Sequence, residues 1–342
     1  MYFYAMQKIQ LTTGIILGLM LISIQILFAQ NNAHTNTMKL KQPPYLKAGD
    51  TVAIVAPSGI LNGRSGEIER AKALLKSWNL HVVIGKHVFK QNNHFAGTDD
   101  ERCEDFQNAL DDPKIKAIWC ARGGYGTVRI LEKLDYTKFR EKPKWIIGYS
   151  DITALHNQFH NEGFESIHAI MCTSLIDKPE ELEQSIETMK QAVFGEKLQY
   201  KLKGSNYNRS GKVSAPIVGG NLTMLHTMLG SNTSIDTSGK ILFIEEIGEY
   251  KYHIDRMLQS LKRAGYFDKC AGLIVGDMSK MRKNTTPWGS SIEQLIIDAL
   301  AEYNFPIAFN MPAGHENDNR ALILGRTIDL EVTKEGSIIN FK

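Results

Sequence analysis

Three side chains in this sequence could together cleave an acyl bond, and each falls where the local pattern turns a corner. Ser150 sits in Trp145-Ile-Ile-Gly-Tyr-Ser-Asp-Ile-Thr-Ala-Leu-His156, an apolar strand pattern running straight into a helical one. A serine at such a corner can be held above a sheet, where its hydroxyl attacks a carbonyl and the following backbone N–H receives the oxyanion. Ser-Asp before a helix is also a common N-cap, and on this segment alone the cap is the commoner reading. A serine nucleophile needs a base, and the base needs an acid to orient it. His315, in the turn-rich Met311-Pro-Ala-Gly-His-Glu-Asn-Asp-Asn-Arg320, offers an imidazole that titrates near neutrality. A lone loop histidine is more often plain surface. Glu245 and Glu246 follow the apolar run Ile241-Leu-Phe-Ile244, a place where charges are normally solvated. Cys120 competes as a nucleophile but ends a buried strand pattern, as structural cysteines do.

Arg122-Gly-Gly-Tyr-Gly126 also follows a strand. It lacks the Gly-Lys-Ser/Thr of a phosphate loop and the spacing of a dinucleotide fingerprint, so a tight turn is its plain reading. Placed beside the strand end of Ser150, the N–H groups of Gly123 and Gly124, with that of Asp151, would suit an oxyanion hole.

The elements that must position these residues alternate. Thr51–Ala56, His81–Gly85, Ala117–Cys120 and Trp145–Ile147 read as short buried strands. Helical patterns cover Ser65–Trp78, Asp99–Leu110, Thr127–Leu134 and Asp151–Glu162 between and after them. This alternation predicts a parallel sheet covered on both faces, with ligand groups at the carboxyl ends of its strands. An acidic helix over Pro179–Val193 and the polar stretch Lys201–Gly211 read as a connection. A second region follows, with strands over Val213–Val218, Ile241–Ile244, Ala271–Val275, Ile307–Phe309, Ala321–Leu324 and Ile328–Val332. Its helices are Leu222–Leu229, entered through Gly219-Gly-Asn221, and His253–Ala264.

The chain has 342 residues, enough for two domains. We place an N-terminal α/β domain over 49–176, a connection over 177–211 and a C-terminal domain over 212–342. With 40 basic against 37 acidic residues and no basic stripe, nothing points to a nucleic-acid partner. Cys103, Cys120, Cys172 and Cys270 have no ligand spacing, and no metal or cofactor is expected. Lys8 followed by the apolar stretch Gly14–Ala29 reads as a signal peptide over 1–30, ahead of a polar linker over 31–48. That predicts an exported, periplasmic protein with no stable membrane span after cleavage; an uncleaved anchor is the competing reading.

Taken together, six stretches resemble the LD-carboxypeptidase family of serine peptidases, which also contains the microcin-C immunity peptidases. They are Val52-Ala-Ile-Val-Ala-Pro-Ser58; Gly97-Thr98 with Arg102; Trp119-Cys-Ala-Arg-Gly-Gly-Tyr-Gly126; Ile147-Gly-Tyr-Ser-Asp-Ile-Thr153; Gly219-Gly-Asn-Leu222 and Glu245-Glu-Ile-Gly248 with Asp255-Arg256; and Pro312-Ala-Gly-His315 with Asn319-Arg320. The resemblance implies Ser150 as nucleophile, His315 as general base and Glu245 as the acid orienting it, with Asp151, Gly123 and Gly124 as backbone oxyanion donors. It implies an N-terminal α/β sandwich joined to a barrel-like C-terminal domain, a homodimer, no cofactor, and a murein peptide cut between a diamino acid and a terminal D-alanine. His168-Ala-Ile170 departs from the family's usual His-Gly-Pro. A microcin-immunity-type peptidase and a non-catalytic wall-peptide-binding protein of the same fold are the alternatives.

Overall fold

Short apolar runs that alternate with helices can satisfy their backbone only in a sheet buried on both faces. The computed structural model, which describes residues 40–342 apart from Asp177, builds this architecture. The signal segment 1–30 and residues 31–39 of the linker lie outside the described residues. Among the described residues there are two sheets. The strands are β1 (Thr51–Val55), β2 (His81–Ile84), β3 (Ile115–Cys120), β4 (Trp145–Gly148), β5 (Ser166–His168), β6 (Gln199–Lys203), β7 (Gly211–Asn221), β8 (Ile241–Ile247), β9 (Gly272–Ser279), β10 (Ile307–Ala308), β11 (Leu322–Leu324), β12 (Thr327–Val332) and β13 (Gly336–Phe341). The first sheet has the order β11-β5-β4-β3-β1-β2 and is parallel except for the β11–β5 pair. The second has the order β10-β9-β8-β7-β12-β13-β6, parallel from β10 to β7 and antiparallel beyond.

The helices are α1 (Ser65–Ser77), α2 (Asp99–Asp111), α3 (Thr137–Glu141), α4 (Thr153–Asn161), α5 (Glu183–Phe194), α6 (Leu222–Thr227), α7 (Lys251–Arg263) and α8 (Ile292–Ala299). Strand periodicity distributes the core. Val52 and Ile54 of β1 face one apolar cluster, while Ala53 and Val55 face another that holds Phe106 and Phe159 of α2 and α4. The first cluster continues into the second sheet through Ile217, Phe243 and Ile274, so one core joins the two sheets. The opposite face of the second sheet, with Leu242, Ile244 and Leu273, is covered by Ile254, Leu258 and Leu261 of α7 and Leu295 and Ile296 of α8. The α7 spacing is the apolar stripe the sequence predicts.

Several elements differ from the sequence reading. Thr127–Leu134 is not a helix but two 3-10 turns, Thr127–Arg129 and Leu131–Lys133. Its N–H groups close tight bonds three residues back, Arg129 to Gly126, Ile130 to Thr127 and Lys133 to Ile130, while Thr127 N–H donates to Asp151 Oδ2 at 2.9 Å. The helix read as starting at Asp151 starts at Thr153, after a 3-10 turn over Ser150–Ile152. Leu322–Leu324, read as a strand of the second region, is the antiparallel edge of the first sheet. β6, α8 and β13 were not anticipated. Among the described residues no helix is long and apolar enough to cross a membrane, and all four cysteines are free thiols.

Candidate active site

β4 ends at Gly148, and the chain turns at once into the 3-10 turn that opens with Ser150. Ser150 holds φ at +63°, in the left-handed region that a residue with a Cβ enters only at a cost of roughly 1–2 kcal/mol. The turn therefore carries strain, and it lifts the side chain off the sheet instead of folding it back. Ser150 Oγ does not cap the helix: it makes its hydrogen bond to Nε2 of His315, at 3.0 Å. That observation favours the nucleophile reading over the N-cap.

On the far side of the ring, Nδ1 of His315 lies 2.7 Å from Oε2 of Glu245. A carboxylate can only accept, so Nδ1 carries the proton and Nε2 is left to accept the Ser150 hydroxyl. The chain Ser150–His315–Glu245 thus forms across three distant stretches of sequence. The tyrosine before the serine helps fix the ring, since Tyr149 packs against His315 with centroids 4.9 Å apart.

Glu245 was expected at a solvated strand end. It is wholly buried, because β8 runs on through Glu245 and Glu246 to Ile247. In register, Glu245 faces Asn221 at the end of β7. Glu246, whose role the sequence did not reveal, accepts from Asn221 Nδ2 at 3.1 Å, Thr223 N–H at 2.7 Å and its neighbour Ile247 N–H at 2.8 Å. Its carboxylate anchors the strand end from which Glu245 projects. The motif Gly219-Gly-Asn221 does more than turn into α6. Gly220 stands so close to Thr153 that a Cβ there would lie 2.5 Å from Thr153 Oγ1, and its φ of +145° excludes side chains anyway. The bare backbone lets Asn221 N–H donate to Thr153 Oγ1 at 3.0 Å, joining the elbow helix to the strand before Glu245.

The opposing electrostatic effects at His315 can be ordered. Burial is the largest influence and works against the imidazolium. The charge of Glu245 and its hydrogen bond outweigh it, with help from Glu246 and Asp277, so the pKa stands above its usual value. Asp277, beside the histidine loop, is itself pushed up to about 6, chiefly by burial. The loop is pinned from behind: Gly314 N–H donates to Asn319 Oδ1 at 3.1 Å, and Asn319 N–H to Ser185 Oγ of α5 at 2.8 Å.

Gly123 lies against the serine. A Cβ on it would sit 3.1 Å from Ser150 Cβ and 3.3 Å from Oγ, so a methyl there would crowd the hydroxyl. Among the described residues, no acceptor takes the N–H groups of Gly123 or Gly124. Asp151 is buried, and its Oδ2 accepts the Ser58 hydroxyl at 2.6 Å and Thr127 N–H at 2.9 Å. One carboxylate thus ties the end of β1 and the Gly-rich loop to the elbow. The site opens into a cleft of about 520 Å³ whose wall includes Ile170 and Met171, in the segment after His168.

The other candidates do not converge here. Cys120 is fully buried and burial drives its thiol pKa far up, which leaves it a poor nucleophile. His156 is locked between Ser166 Oγ and Gly148 O, each at 2.8 Å, and burial lowers its pKa to about 4. Among the described residues, no cluster of three or more His, Cys, Asp or Glu could hold a metal ion.

With this geometry in place, the likenesses to known proteins can be read. The family model described as "LD-carboxypeptidase N-terminal domain" matches residues 52–169, and "LD-carboxypeptidase C-terminal domain" matches 214–330. A "Probable murein peptide carboxypeptidase" of Bacillus subtilis is 33% identical over 301 residues, spanning 87% of this chain and 94% of the relative. A murein tetrapeptide carboxypeptidase of Pseudomonas aeruginosa is 30% identical over 294 residues, spanning 82% and 92%. The crystal structure of a muramoyltetrapeptide carboxypeptidase from Oxalobacter formigenes matches with a TM-score of 0.76 at 27% identity, over 85% of this chain and 98% of that one. The microcin C7 self-immunity protein MccF, at 22% identity and a TM-score of 0.77 over 89% and 98%, shares the fold.

Proposed function

The chain belongs to the LD-carboxypeptidase family and is a serine-type carboxypeptidase, and from that premise we propose that it removes the terminal D-alanine from murein tetrapeptides through Ser150, His315 and Glu245. The observation that carries this reading is the unbroken hydrogen-bond chain from a strained corner serine through His315 to a buried carboxylate. In the forward step, Ser150 Oγ attacks the carbonyl of the diamino acid while His315 Nε2 takes its proton. Glu245 accepts the Nδ1 hydrogen bond and stabilises the imidazolium. The N–H groups of Asp151, Gly123 and Gly124 receive the oxyanion. His315 then gives its proton to the leaving amine, D-alanine departs, and a water activated by the same histidine releases the tripeptide from Ser150.

Export to the periplasm, where the substrates would be wall stems or released muropeptides, and assembly as a homodimer belong to the same proposal. The names of the relatives support the substrate class. The test is to incubate purified protein with tripeptide, tetrapeptide and pentapeptide stems and follow released alanine by mass spectrometry. Release from the tetrapeptide alone is expected. Release from the pentapeptide alone, or from none, would overturn the assignment.

A further inference from the structure

The cleft beside Ser150 contains two cations that the triad does not use. Arg122 opens the Gly-rich loop after β3, and Arg64 immediately precedes α1; both line the same cleft as Ser150 and His315. Arg122 is half-buried and donates through Nη1 to the Ile60 carbonyl. Among the described residues no carboxylate pairs with it. Burial first, and then the charge of Arg64, weaken its hold on its proton, though a guanidinium stays charged throughout. Arg64 has Glu67 at 3.5 Å, and its charge is also felt by Tyr149, next to the nucleophile. Glu67 is itself drawn on by Arg70 as well, at 3.9 Å, so the carboxylate beside Arg64 leaves Arg122 without a counter-charge of its own among the described residues. A partly desolvated cation beside a like charge is unfavourable until an anion joins it. The planar fork of arginine matches a carboxylate.

The position of the pair identifies which anion. Gly123, the residue after Arg122, touches Ser150, while the guanidinium itself reaches along Gly59 to the Ile60 carbonyl and lines the cleft in which the scissile carbonyl must sit. In a carboxypeptidase substrate the free carboxylate lies one residue beyond that carbonyl, roughly 3.5 Å of chain away. We propose that Arg122, assisted by Arg64, binds the terminal carboxylate of the leaving residue and thereby makes the enzyme select a free C-terminus. This rests on the serine carboxypeptidase reading above.

The test compares a stem tetrapeptide ending in a free acid with the same peptide ending in an amide. The wild type should prefer the acid. Arg122→Met should lower kcat/KM on the acid by roughly 10- to 100-fold, the size of one charge-assisted hydrogen bond, and bring the acid-to-amide ratio towards one. Arg122→Lys should restore part of the ratio, and Arg64→Met should shift it the same way by less. Equal losses on acid and amide would overturn the proposal, because the other carboxylates of the stem persist in the amide. An unchanged ratio in a folded Arg122→Met would overturn it too. If Arg122→Met fails to fold without its bond to Ile60, the Arg122→Lys and Arg64→Met ratios decide the matter, and unchanged ratios in both would overturn it. Wild-type protein that cleaves neither peptide would instead remove the functional reading, and the proposal with it.

Discussion

Replacing Glu245 by glutamine preserves the shape of a buried side chain and removes its charge, and the resulting loss of stability should depend on pH. Glu245 exposes none of its side chain and His315 only 12% of its own. Burial by itself would depress the imidazole pKa, yet Glu245 holds it above 6.5. A group whose pKa rises on folding stabilises the native state fully below its unfolded pKa, and this gain disappears as pH climbs through the folded value. The wild type therefore draws stability from the pair in mild acid and little at pH 8. In Glu245→Gln that gain is lost. Glu246 and Asp277 remain near the ring, but Asp277 titrates at about 6 and loses its charge over the same range. With burial dominant, His315 of the variant should resist protonation in mild acid. At pH 5 that costs about 2 kcal/mol, from about 1.5 pH units at roughly 1.4 kcal/mol each. At pH 8 the imidazole is neutral in both proteins, and what remains is the exchange of a carboxylate acceptor for a neutral amide one, worth about 1 kcal/mol. Urea unfolding of both proteins at pH 5, 6, 7 and 8 should show a stability gap of at least ~2 kcal/mol in acid that narrows to about 1 kcal/mol in base. A gap that is constant, or widest at pH 8, would refute the reasoning. Any residual activity of the variant should have its acid limb at lower pH.

The Gly123→Ala enzyme should fold normally but lose roughly 100-fold in kcat, since the new methyl would displace Ser150 Oγ from 3.3 Å; stopped kinetics and a melting curve check both halves. Asp151→Ala leaves Ser58 and Thr127 without their buried acceptor and should destabilise the protein by about 2–4 kcal/mol in urea unfolding. Cys120→Ala should keep activity within about twofold, and iodoacetamide should not label Cys120 in the native protein. Loss of activity there would reopen the cysteine as the nucleophile.

What was legible in the sequence, and what was not, follows from the range of the interactions. The corner at Ser150 showed because a buried four-residue strand and a helix pattern abut there, a local signal. The burial of Glu245 did not, because it depends on β7 and β9 flanking β8 through its last residues. A Glu-Glu pair looks like a solvated end until those neighbours are known. Glu246 was undervalued for the same reason: its partners Asn221 and Thr223 lie more than twenty positions away. Thr127–Leu134 looks helical by composition, and its break into two 3-10 turns leaves no mark in the local pattern. β6 and β13 pair with each other at the far edge of the second sheet; β6 alternates polar and apolar over only five residues, and β13 does not alternate at all, since it buries Ser337 and exposes Ile338. The pinning of His315 through Asn319 to Ser185 joins residues over a hundred positions apart and left no local trace.

The central claim is that the Ser150 hydroxyl, activated by His315, attacks the bond to the terminal D-alanine. The most direct measurement is the rate of D-alanine release from a stem tetrapeptide by wild-type protein and by Ser150→Ala under identical conditions. Because among the described residues the hydroxyl caps nothing and bonds only to His315, the substitution should leave the melting temperature nearly unchanged. Release should fall by at least ~10⁴-fold, as removal of a triad nucleophile does elsewhere. A folded Ser150→Ala protein releasing D-alanine within tenfold of the wild-type rate would contradict the account.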